Sequence, residues 1–179
     1  MAFDSALFEL IRQAAGKSRA LDVVGIICAT YLPYILVVCA VVYIATIRRI
    51  SERAYAFFLT IFSLLFGRGI LVEALQFFFP RERPFAVLGF EPLINPVTSS
   101  AFPSSHAAIF FGLAVAFWCL NTRWGLWFFA AALFIGWGRI FTGVHWPLDI
   151  VAGALVGIIG ALVARRVLPR PSVPEHQSA

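Results

Sequence analysis

The sequence predicts an all-α, integral membrane helical bundle of about five transmembrane helices, preceded by an N-terminal interfacial helix. Three observations carry this expectation. The 179 residues are 61% hydrophobic and only 13% charged, and the mean hydropathy of +0.89 lies well above that of a soluble domain of this length. The apolar residues gather into five runs, each near the ~20 residues that a helix needs to cross a ~30 Å hydrocarbon core. The breaks between runs are short and polar, without a Ser- or Pro-rich linker or an internal repeat, so residues 1–170 are expected to form a single domain.

Ahead of the runs, Phe3, Leu7, Leu10 and Ile11 fall at helical spacing, with Asp4, Glu9, Arg12 and Lys17 between them. That is the pattern of a short helix lying in the membrane interface. The first run, 21–47, is longer than a signal-peptide core and is followed by no small-residue cleavage site, so it reads as a retained span. The second run, 55–79, carries Arg68 and Glu73 within the bilayer. Such charges are either functional or paired between helices. Pairing with each other is not expected, since a separation of five on an α-helix sets them about 140° apart. The third run, 105–121, opens on Pro103-Ser104-Ser105, a helix-start signature. The fourth, 124–142, ends on Trp137-Gly138-Arg139, and the fifth, 148–168, follows Pro147, a residue suited to a first helical turn. Cys28 and Cys39 lie in the first span and Cys119 in the third, where each serves as a small buried hydrophobe. Residues 171–179, which include His176, are expected to be a disordered cytoplasmic tail.

The formal net charge of +5 does not point to nucleic acid, because the basic residues sit at span ends and within one motif rather than in a stripe interleaved with aromatics. Arg48, Arg49, Arg53, Arg123, Arg165, Arg166 and Arg170 fall on one side of the five spans. By the excess of Lys and Arg on cytoplasmic loops, that side is the cytoplasm and the N terminus lies outside. The 80–104 loop and the 138–148 turn then share the outer face of the plasma membrane, and nearly every residue with chemical potential lies in those two places.

Three stretches stand out: Pro80-Arg81-Glu82-Arg83-Pro84, Phe102-Pro103-Ser104-Ser105-His106, and Gly138-Arg139 with His145-Trp146-Pro147-Leu148-Asp149. His145 stands at the mouth of the fifth helix with Asp149 one turn further in. At that spacing the carboxylate can orient the ring and leave the other nitrogen free to attack. Taken alone, the fragment also reads as a capping histidine beside an acidic neighbour. The Ser104-Ser105 helix start offers unpaired N–H groups to an anion, and His106 beside it is placed to protonate a leaving oxygen. An ordinary serine cap would explain the serines but not a histidine taken into an apolar span. Arg83 and Arg139 supply guanidinium forks for phosphate, and Arg139 lies too near the bilayer to be tolerated cheaply without an anionic partner. Arg81 reads equally as a supporting or head-group contact and as a snorkelling interfacial residue.

These blocks, with five residues between Arg139 and His145 and three between His145 and Asp149, resemble the type 2 phosphatidic acid phosphatase (PAP2) superfamily over residues 76–149. Within it the runs 79–85 and 143–149 look most like the small bacterial undecaprenyl-pyrophosphate phosphatases of the bacitracin-resistance type. The resemblance implies a phosphohistidine on His145, oriented by Asp149, with His106 protonating the leaving group. It further implies that Arg83, Arg139, Ser104 and the Ser105 backbone hold the phosphate. No cofactor and no metal is implied, and the implied partner is an isoprenoid or glycerolipid phosphate within the membrane lipid. Three positions depart from the family pattern: Gln76 replaces a common Lys, Ser105 a common Gly, and Gly138 a common Ser. Gln76 still donates hydrogen bonds to the phosphate pocket but brings no charge.

The leading expectation is hydrolysis of undecaprenyl pyrophosphate to the monophosphate carrier used in cell-wall synthesis. Phosphatidylglycerophosphate, phosphatidate and lipid A phosphates are alternatives, since the motifs read phosphate and not the tail. From another class, Gln76 motivates an inactive lipid-phosphate-binding membrane protein, which would not need a nucleophile with an orienting carboxylate. A metal-dependent hydrolase with His106, His145 and Asp149 as ligands is disfavoured by two arginines that would repel the cation.

Overall fold

The structure is a computed structural model that describes residues 2–96 and 98–171. Every regular element among the described residues is helical: α1 (Ala2–Arg12), α2 (Arg19–Thr46), α3 (Ile50–Phe78), the short α4 (Pro84–Leu88), α5 (Ser105–Leu120), α6 (Thr122–Phe141) and α7 (Pro147–Val167). Beyond Pro171, the expected tail lies outside the described residues. The helices of 28, 29, 20 and 21 residues, α2, α3, α6 and α7, are long and apolar enough to cross a membrane. The third expected span, α5, has 16 residues, about 24 Å at the α-helical rise.

Local signals set the ends of the inner helices. The Ser104 hydroxyl caps α5 by accepting from the Ala107 N–H. Asn121 caps α6 by accepting from the N–H groups of Arg123 and Trp124 at 3.0 and 3.2 Å, satisfying donors that a helix start leaves unpaired. Pro147 occupies the first turn of α7. The bundle is built around α5, whose Phe110, Phe111, Leu113 and Phe117 are buried in the main apolar cluster. Outside it, Val38, Phe57, Trp127, Leu133, Val151 and Leu155 are exposed, an apolar exterior suited to lipid and not to water. α5 needs little lipid-facing length because its neighbours enclose it.

Two helices depart from regular α geometry. Ile27–Tyr31 in α2 and Leu65–Val72 in α3 are π-helical. The second corrects an expectation from the sequence, since Arg68 and Glu73 form an ion pair with each other. A π turn carries i→i+5 bonds, so residues five apart come onto one face where an α-helix would separate them.

α7 meets α5 and α3 along a seam without side chains. A Cβ at Gly153 would lie 2.4 Å from the Ser104 carbonyl, one at Gly157 2.1 Å from the Ala108 carbonyl, and one at Gly160 2.6 Å from the Gly67 nitrogen. Small residues at such spacing let helix backbones touch, which is how membrane helices pack without a hydrophobic drive between them. The seam also joins the Ser104 N–H to the Asp149 carbonyl at 2.9 Å, bringing two of the chemical stretches together. Gly157→Ala is expected to lower stability by about 1–3 kcal/mol, because its neighbour is backbone and cannot repack, and a reduced Tm in detergent checks it.

Candidate active site

The third stretch is formed by the exit from α6. Thr142 donates its hydroxyl to the Gly138 carbonyl at 2.8 Å. The chain then reverses at Gly143, whose φ of +88° belongs to the left-handed region that glycine enters without a Cβ penalty. The reversal carries His145 back beneath one end of the bundle, where it is 2% exposed. Its two ring nitrogens face opposite ways. Nε2 lies 3.3 Å from Arg83 Nη1, and Nδ1 lies 3.5 Å from Asp149 Oδ2. Nδ1 has no hydrogen-bond partner, so the expected bond to Asp149 is a close approach and not a formed bond. Asp149 Oδ2 instead accepts the Trp146 N–H at 2.9 Å.

Burial holds the His145 pKa well below its ordinary value, and the positive charges of Arg139 and Arg83 depress it further against a smaller opposing bond to the Ala101 backbone. The ring is therefore neutral at neutral pH and keeps a lone pair on one nitrogen. Arg83, in the loop between α3 and α4, is held rigidly by carbonyls. Its Nε donates to Ser99 O and its Nη1 to Val144 O, each at 2.9 Å, and its Nη2 to Ser100 O at 3.3 Å. Burial lowers the Arg83 pKa and the Asp149 charge opposes that shift.

Arg139, near the end of α6, is 6% exposed, and its Nε is buried without a partner. A buried guanidinium with an unused donor is costly unless an anion completes it. Arg139 lines a cavity of about 610 Å³ together with His106, and the rest of that wall is largely apolar: Ile26, Pro33 and Val37 from α2, and Ile109 and Phe110 from α5. The widened π turn of α2 contributes Ala29 and Thr30 to the same cavity. Gly138 explains one departure from the family pattern, for a Cβ there would stand 2.8 Å from the Ala29 nitrogen. The missing serine lets α2 approach α6 at the level of Arg139.

The remaining expected residues serve the turn before α5. Gln76 donates to the Pro103 carbonyl at 3.1 Å and lies 3.5 Å from the Ser105 hydroxyl, so it braces that turn from α3. Ser104 is fully buried, its hydroxyl engaged as the cap and its N–H bound to Asp149. The structure therefore gathers His145, Asp149, Arg83 and Ser104 around one turn, places His106 and Arg139 in one cavity, and sets Gln76 against Ser105. Among the described residues, no three His, Cys, Asp or Glu side chains cluster in a way that could hold a metal ion.

Of two further participants, Arg81 was legible as one of two readings and Asp4 was not legible. Arg81 donates from Nη1 to Asp149 Oδ1 at 2.8 Å and from Nη2 to Asp4 Oδ2 at 2.5 Å. This makes it a supporting residue and settles the alternative in which it merely snorkels. Asp4, expected on the polar face of an interfacial helix, is 1% exposed, whereas Phe3 and Leu10 from the expected apolar face are exposed. The docking stripe of α1 is Asp4, Phe8 and Arg12, with Phe8 against Phe90 and Trp146 and Arg12 over the Phe90 ring. Its i, i+4, i+8 spacing was the available signal.

A family model described as the PAP2 superfamily matches residues 54–172. The chain is 30% identical over 166 residues to the bacitracin transport permease protein BcrC of Bacillus licheniformis, a match covering 92% of this chain and 80% of that one. It is 33% identical over 91 residues to an undecaprenyl-diphosphatase of Sulfolobus acidocaldarius, with 49% of this chain matched, and spans 44% of that protein's length. It is 30% identical over 122 residues to a lipid A 1-phosphatase of Rhizobium johnstonii, with 65% of this chain matched, and spans 48% of that protein's length. The crystal structure of Aquifex aeolicus LpxE superposes with a TM-score of 0.75 at 30% identity, covering 93% of this chain and 96% of that one.

Proposed function

The chain belongs to the PAP2 superfamily as a multi-pass membrane protein, and on that premise we propose that it is a lipid phosphatase hydrolysing undecaprenyl pyrophosphate to undecaprenyl phosphate and inorganic phosphate. The observation that carries the reading is the neutral, buried ring of His145, with one nitrogen toward Arg83 and the other toward Asp149. Nε2 attacks the terminal phosphorus, and the bond from that phosphorus to the bridging oxygen breaks. His106 gives its proton to the departing undecaprenyl phosphate. Water then attacks the phosphohistidine, His106 takes its proton, and inorganic phosphate leaves with His145 restored. Arg83 and Arg139 bear the charge that develops on the transferring phosphoryl oxygens, while the first-turn N–H groups of α5 at Ser105 and His106 offer further donors. Ser104 and Gln76 shape that turn.

The apolar wall running from His106 and Arg139 along α2 and α5 is a slot for a lipid chain, and the Sulfolobus relative's name supplies the isoprenoid pyrophosphate as the head group to test first. A lipid A phosphate is the second reading, favoured by the name of the Rhizobium relative. The charge bias of the loops supports an active site at the outer face of the plasma membrane and a cytoplasmic C terminus, with residues 1–170 as one catalytic domain.

Phosphate release by the purified protein in EDTA, compared across undecaprenyl pyrophosphate, lipid A and phosphatidate, tests this. The highest kcat/KM is expected on undecaprenyl pyrophosphate, unchanged by the chelator. A higher value on lipid A moves the assignment to the second reading. Activity lost to EDTA and restored by a divalent cation overturns the mechanism, and no release from any lipid phosphate by folded protein favours a binding role.

A further inference from the structure

We propose that Asp4, on the N-terminal helix, is a positioning residue that holds Asp149 against His145 through the guanidinium of Arg81. The proposal rests on the reading of His145 as nucleophile. It starts from a buried carboxylate with both oxygens committed. Asp4 Oδ1 accepts the Leu148 N–H at 2.9 Å, within the first turn of α7, and Oδ2 accepts Arg81 Nη2 at 2.5 Å. The other arm of the same guanidinium donates to Asp149 Oδ1 at 2.8 Å. With Trp146 N–H on Oδ2, the Asp149 carboxylate is gripped at both oxygens and cannot rotate about its side chain. Its Oδ2 is thereby presented to His145 Nδ1.

Docking of α1 does not by itself need a charge here. Phe8, one turn along and 1% exposed, already packs on Phe90 and Trp146, and an apolar residue at position 4 would add to that contact without the desolvation cost of a carboxylate. What the carboxylate adds is direction for Arg81. That side chain is 26% exposed, so without Asp4 its fork can turn toward water or a lipid phosphate and release Asp149 Oδ1. At metal centres the loss of a partner one step removed from a ligand costs about 10–100-fold, and a loss at the lower end of that range is expected for a partner of an orienting carboxylate.

The test uses the full chain in detergent, with rates normalised to monodisperse folded protein, on the lipid phosphate turned over fastest. Asp4→Asn keeps an oxygen for Leu148 N–H but loses the charge. It is expected to lower kcat about tenfold while KM stays within about twofold. Arg81→Gln is expected to behave alike, and the double variant to fall no further than Arg81→Gln. Asp4→Ser, smaller and still an acceptor, is the second route if Asp4→Asn folds poorly. A loss confined to KM, a wild-type kcat per folded molecule, or independent additive losses in the double variant would each overturn the proposal. So would a wild-type kcat in Arg81→Gln, whatever the Asp4 variants do. His145→Ala run alongside separates the two claims: activity there removes the underlying mechanism, whereas inactivity there with a wild-type-like Asp4→Asn removes only this inference.

Discussion

His145→Ala is expected to reduce phosphate release by about 10⁴-fold or more, because it removes the atom that forms the covalent intermediate and leaves the phosphate-binding groups with nothing to deliver. The fold should survive. His145 sits in a turn held by backbone bonds, with Gly143 N–H on the Ile140 carbonyl at 3.0 Å and Val144 N–H on the Arg139 carbonyl at 3.2 Å. The variant should still bind the substrate, with an affinity that Arg83 and Arg139 set. The check is single-turnover phosphate release at saturating substrate. A residual rate above about one hundredth of wild type would exclude covalent catalysis at this residue, since in-line attack by water would then suffice.

The second large effect is at Arg139. Its replacement by Ala is expected to lower kcat/KM by about 10²–10³-fold, the loss seen when a preorganised donor to a developing oxyanion is removed. Its Nε is buried without a hydrogen-bond partner, and a donor not already committed to the protein has its interaction to give to phosphate. Arg83 differs, because carbonyls from Ser99, Ser100 and Val144 already occupy it, and it acts as much on the shape of the turn as on the substrate. Arg139→Lys should recover only part of the loss, since an ammonium cannot reproduce the two parallel bonds of a guanidinium fork. Full recovery with Lys, measured as kcat/KM, would mean that Arg139 contributes charge alone.

Much of this site was legible because its parts are short and local. His145 and Asp149 are one helical turn apart, Ser104 and His106 start a helix, and the proline-flanked Arg83 interrupts two apolar runs; each pattern carries its reason within a few residues. The helices appear where the apolar runs lie, with ends displaced by a few residues. What escaped was of two kinds. The Arg68–Glu73 pair depends on a change of helical period, which side-chain hydropathy does not encode. The Asp4 contacts join residues 77 and 144 positions away, so the i, i+4, i+8 stripe of Asp4, Phe8 and Arg12 could mark a docking face but not the arginine it meets. Gln76 fell between the two: its hydrogen-bonding capacity was evident, but its bond to the Pro103 carbonyl belongs to the tertiary fold.

The glycine seam makes the molecule mechanically uneven. Where Gly153, Gly157 and Gly160 put backbone on backbone, no side chain is available to change rotamer, so α3, α5 and α7 make a stiff plate that carries Asp149, the α5 start and Gln76 as one unit. The opposite wall of the cavity, built from the aliphatic side chains of α2, is the compliant one. On the proposed reading, a lipid phosphate in this cavity would find its give on the α2 side, while the groups on the plate keep their spacing.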